Sequence, residues 1–112
     1  MSEPGSHFER GLELIRLRSF FEAHEELELA WRAAPPEERD FYQGLVHVTV
    51  AWYQAGRGRR PGCERQLAKA ERRLAPFAPS YRGVDVEGVL AQVRDAAAAV
   101  AADSLELEPL EV

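Results

Sequence analysis

From Pro36 to Ala55 the chain places apolar residues on nearly every side of a helix. Leu45, Val46, Val48, Val50, Ala51, Trp52 and Tyr53 surround it. A helix that is apolar all round must be covered on several faces, so this segment belongs at the centre of a bundle. The stretch Val46–Val50 is β-branched and also suits a strand. Its flanks keep the 3.6-residue period and no turn signal bounds it, so the reading is helix.

The rest of the chain supplies the covering helices. Ser6 with Glu9 has the spacing of a capping box, and Phe8, Leu12 and Ile15 follow as a stripe. The signature restarts at Ser19 with Glu22, which predicts two helices with a joint near Arg18 rather than one long helix. Helix 2 is expected from Phe20 to Ala33, with Phe20, His24, Leu27 and Trp31 on one face. Ala34-Pro35-Pro36 ends it and opens helix 3. A Gly/Arg loop over 56–62 leads to helix 4, whose inward stripe is Cys63, Leu67, Ala70 and Leu74. Pro76 and Pro79 stop that helix. Asp85 caps helix 5, which runs to Ala102 with Val86, Val89, Val93, Ala97 and Val100 inward. Residues 103–112 alternate Leu and Glu and read as an acidic coil or extended tail, and residues 1–5 as a disordered start. The expected fold is all-α: a compact bundle of about five helices, helix 3 central, in a single domain over 1–112.

Composition narrows the class. The 112 residues include 8 Gly, 7 Pro and one cysteine, Cys63, so disulfide and collagen-like scaffolds are excluded. No apolar run approaches the ~18 residues that span a bilayer. The start of the chain has no basic patch followed by an apolar stretch, so no signal peptide is read, and the expected compartment is the cytoplasm. Lys69 is the only lysine among 14 basic residues and there is no asparagine. That bias fits a thermophilic source and, equally, a skewed genomic base composition.

Charge is uneven. Residues 57–83 carry net +6, between a segment of net −5 and one of net −6. Residues 57–73 are the one candidate for nucleic acid. The net charge of −5 and the absence of interleaved aromatics argue against that partner. Packing of this segment on the acidic helices, or against them in a homodimer, is the competing expectation. Trp52 and Tyr53 would mark a dimer patch if exposed.

The informative feature is polar residues inside apolar stripes. On helix 2, His24 and Glu28 sit among Phe20, Phe21, Leu27 and Trp31. On helix 3, Gln43, His47 and Gln54 share a face beside Gly44. If helices 2 and 3 pack antiparallel, these sets can meet in one internal cluster, with Glu25 and Trp31 at its edge. Buried polar groups left unpaired cost about 1–3 kcal/mol each, so they must satisfy each other, water or a ligand.

Three readings stand open. One is a hydrogen-bonded network that fixes helix register. Another is a small-ligand pocket, in which His24 would be general acid or base and Glu28 its orienting carboxylate. The last is a hydrolase-like metal site of His24, Glu28 and His47. Spacing does not favour metal. His24-Glu25-x-x-Glu28 lacks the second histidine of H-E-x-x-H, and no Glu-x-x-His pair exists. No cofactor is named by the sequence.

The run Phe20-Phe21-Glu22-Ala23-His24-Glu25 followed by Glu28 and Trp31, then Phe41-x-Gln43-Gly44-Leu45-Val46, resembles the bacterial domain-of-unknown-function family 309. Phe8 and Gly11 match its start, and Gly58 and Gly62 its later glycine loop, so the resemblance covers residues 8–74. The family has Gln where His47 stands, His where Gln54 stands, Asn near Arg16 and Arg59, and Ala at Cys63. An imidazole moved within one face suits a hydrogen-bonded cluster better than fixed metal ligands. Cys63 reads as a small core residue. The resemblance implies a small all-α domain without an established activity, and supports the location of the site without supplying a reaction.

Overall fold

The computed structural model describes residues 4–112, and it is all-α. Helix α1 spans Pro4–Arg16, α2 Phe20–Ala33, α3 Arg39–Gly56, α4 Arg60–Leu74 and α5 Val86–Ala101. Short 3-10 turns precede α3 at Pro36–Glu38 and follow α4 at Ala75–Phe77. The two prolines at 35 and 36 account for the first of these, since proline's fixed φ suits a first turn while its missing N–H cannot continue the previous helix. Of the start expected to be disordered, residues 1–3 lie outside the described residues, and α1 begins at Pro4, before Ser6.

The joint between α1 and α2 is real: Arg18 takes φ 63, a left-handed conformation that no helix interior accepts. Asp85 caps α5 by accepting from Gly88 N at 2.9 Å. Helix α3 packs against both α2 and α4, α1 covers α2, and α4 carries α5. Phe41, Tyr42, Leu45, Val48 and Ala51 of α3 are fully buried, as a central helix requires. Among the described residues no helix is long and apolar enough to cross a membrane.

Two expectations are corrected. Ala96 rather than Ala97 is buried on α5: the two lie on opposite flanks of the Val89–Val93–Val100 stripe, and Ala96 completes its i, i+4, i+7, i+11 spacing. Trp52 is not an exposed dimer patch. Residues 104–112 fold back over it: Trp52 Nε1 donates to Glu108 O at 2.9 Å, and Leu110 is buried. Gln92 fastens the same tail, donating to Glu111 O and accepting from Glu111 N, both at 2.8 Å.

Candidate functional site

His24 lies on α2, facing α3. Its Nδ1 donates to Phe21 O at 2.6 Å, which sets Nδ1–H as the tautomer of the neutral ring and leaves Nε2 as an acceptor. Glu28, one turn on, brings Oε1 to 3.6 Å from Nε2 and Oε2 to 3.8 Å from Arg32. At 3.6 Å there is no direct hydrogen bond. The ring is thus oriented by the Phe21 carbonyl, and Glu28 flanks the free nitrogen rather than orienting the opposite one.

His24 also lines a depression of about 170 Å³ between α2 and α3, together with Phe20, Phe21, Val50, Tyr53 and Gln54. Phe21 packs edge-on to His24 with ring centroids 5.0 Å apart and lies 5.6 Å from Tyr53. Half of Phe21 is exposed (50%), so the depression is open. Arg57 covers Tyr53 from outside, its guanidinium 5.7 Å from the ring centroid.

The polar residues expected as one cluster are divided between two interfaces. His24 and Glu28 belong to α2, and Gln54 lines the depression beside His24 while its amide packs against Gly62 of α4. His47 turns to α4, where its Nδ1 donates to Gln66 Oε1 at 2.7 Å. Gly44 shows why. A Cβ there would lie 2.6 Å from Leu74 Cγ, so this face of α3 is the one α4 approaches. Helical periodicity fixed the angle between Gly44 and His47 but not which neighbour they would meet. Gln43 is half-buried and makes no side-chain hydrogen bond among the described residues. Glu25 is exposed, and Trp31 packs on the core as a half-buried ring.

Within this polar set two atoms are left without partners. His47 Nε2 and Gln54 Oε1 are both buried and unbonded. Burial pushes the His47 imidazole below its ordinary pKa; the Gln66 contact opposes this, and the charges of Lys69, Arg73 and Arg72 add to it. Among the described residues no group of three or more His, Cys, Asp or Glu side chains is placed to hold a metal ion. The set His24, Glu28 and His47 is divided by the turn of His47 toward α4.

A second polar group was not visible in the sequence. Glu38 is buried at the start of α3 and accepts from Arg82 Nε at 2.5 Å. That contact, assisted by Tyr81, holds the carboxyl below its ordinary range against the effect of burial. Arg82 itself adopts φ 47, and the Tyr42 hydroxyl is buried nearby without a bond, its pKa raised by burial. Only the loop 78–84, whose Tyr81 and Val84 pair backbone to backbone, joins these residues, and no local pattern announces it.

The family model described as "Domain of unknown function (DUF309)" matches residues 8–66. The chain is also similar to the uncharacterized protein YpuF of Bacillus subtilis (strain 168), with 32% identity over 72 residues. That match takes in 63% of this chain and only 41% of the relative's length. No solved structure matches the chain. The matched span contains α2, α3 and the loop between α3 and α4, and so the whole α2–α3 depression.

Proposed function

The chain belongs to the DUF309 family, and on that premise we propose that it is a binding domain whose α2–α3 depression takes a small apolar ligand bearing hydrogen-bond donors. The observation that supports this is the pairing of an open aromatic wall with unoccupied acceptors. His24 Nε2 is left free to accept, and the Glu28 carboxylate stands 3.6 Å from it. Ligand pockets combine apolar walls with a few converging polar groups in this way. The volume suits one ring, since an apolar cavity of about 150 Å³ holds benzene.

Phenol and toluene serve as probes in a thermal-shift measurement. Phenol, with a donor, should raise Tm at millimolar concentration more than toluene does. His24→Ala should remove the difference. Equal shifts from both compounds, or a phenol shift that survives His24→Ala, would contradict the reading. We further infer a cytoplasmic location, which the buried, unpaired thiol of Cys63 supports.

A further inference from the structure

The cations of this chain fall into two groups. Most are engaged. Arg60 pairs with Glu64 and Asp103, Arg73 with Asp40, Arg94 with Glu71 and Arg82 with Glu38. Arg16 and Arg18 donate to carbonyls of the tail. Four cations have no side-chain hydrogen bond, ion pair or ring contact among the described residues: Arg59, Arg65, Lys69 and Arg72. All four are exposed, and all belong to α4 or to the residue before it.

Their placement is ordered. At about 100° per residue, Lys69 and Arg72 fall within about 40° of Arg65. They are spaced about 6 Å and 10.5 Å from it along the axis. The buried stripe Cys63, Leu67, Ala70 and Leu74 occupies the opposite side. The acids of α4, Glu64 and Glu71, stand to one side and are paired with Arg60 and Arg94. The expectation that the basic segment points into helix packing therefore holds for Arg60, Arg73 and Arg82 and fails for these four.

We propose that the outward face of α4 is a sequence-independent docking surface for the phosphate backbone of duplex nucleic acid. Three of the four cations are arginines, whose forked donors match phosphate oxygens. The face lacks what other partners need. A protein interface is anchored by aromatic or large apolar side chains, and here the exposed neighbours are Pro61, Ala68 and Pro76. A helix lying in a membrane surface inserts its apolar stripe, and that of α4 is buried in the core. No aromatic lies on the face to stack bases, which favours a duplex over a single strand. The docking rests on charge alone, since Arg and Lys neutralise phosphates whatever the sequence.

The test is fluorescence anisotropy of the full chain with a short labelled DNA duplex. Dissociation constants should fall in the non-specific range of about 10⁻⁴–10⁻⁶ M. Three or four neutralised phosphates give a slope of log K against log salt of about −3, or roughly 60-fold weaker binding for a fourfold rise in salt. Arg65→Gln alone should reduce the magnitude of the slope by about 1. The triple variant Arg65→Glu, Lys69→Glu, Arg72→Glu should abolish binding while keeping its helical circular dichroism. His24→Ala, which empties the α2–α3 depression of its acceptor, should bind the duplex unchanged. A flat salt dependence overturns the proposal, as does equal affinity of wild type and Arg65→Gln. Tighter capture of polyglutamate-binding type, seen as poly-Glu displacing the duplex, or tighter binding to phosphatidylserine vesicles overturns it in favour of an acidic protein or a membrane.

Discussion

Replacing Gly44 by alanine adds one methyl group where α3 meets α4. The new Cβ would stand 2.6 Å from Leu74 Cγ and 2.7 Å from its Cδ2. Carbon atoms rest at about 3.5–4.0 Å, so something must move. Leu74 is fully buried and cannot swing into solvent. Overpacking of this kind costs about 1–3 kcal/mol, and alanine's better helix propensity returns up to about 1 kcal/mol. The net loss is about 0–3 kcal/mol, or a Tm fall of about 4 °C per kcal/mol for a chain of this size. Gly56→Ala is the control. Its Cβ meets nothing within 4 Å, so it should gain a few tenths of a kcal/mol up to about 1. Leu74→Ala costs about 2–5 kcal/mol alone. In that background Gly44→Ala should stabilise as Gly56→Ala does, a coupling of about 1–3 kcal/mol in a double-mutant cycle. Urea unfolding followed by circular dichroism reads all four. If Gly44→Ala stabilises as Gly56→Ala does, the close α3–α4 approach, and with it the turning of His47 away from α2, is wrong.

Three further outcomes follow from the same contacts. His47 has a lowered pKa in the folded state, so the unfolded ring takes up a proton first as pH falls. Its effect on stability is absent above its ordinary value near 6.5 and becomes a loss below it, with a slope of at most about 1.4 kcal/mol per pH unit. Measured between pH 7.5 and 5 (roughly one decade either side of that value), the urea midpoint of wild type should therefore fall relative to that of His47→Gln on acidification. Leu110→Ala should release the tail, costing up to about 2–5 kcal/mol, and red-shift tryptophan fluorescence as Trp52 is uncovered. Glu38→Gln should lower stability by about 1 kcal/mol or less, because Arg82 is 46% exposed and its charge is screened. The carboxylate's share is present above pH 4.5 and is lost below it, which a pH series on the two proteins would show.

Much of the fold was legible because its signals are local. The proline pair at 35 and 36, the Asp85 cap and the stripe of α4 each lie within one turn of the boundary they define. The division of the polar face of α3 was not legible, since periodicity gives an angle and α3 has neighbours on two sides. The capture of the tail by Trp52 and Gln92, and the Glu38–Arg82 pair, join residues with no pattern between them. The basic segment was legible as charge. Which arginines are paired depends on acids that only packing brings near, such as Asp40 for Arg73 and Asp103 for Arg60.

The central claim is that His24 presents a free acceptor nitrogen to an open aromatic depression. Long-range proton–nitrogen NMR of the imidazoles tests it directly, because it reads tautomer and contact at each ring nitrogen. The account predicts a pyrrole-type Nδ1 and a pyridine-type Nε2 at His24, with Nε2 alone moving when phenol is added and the His47 signals still. An Nε2–H tautomer at His24, or a phenol titration that leaves Nε2 unmoved, would contradict it.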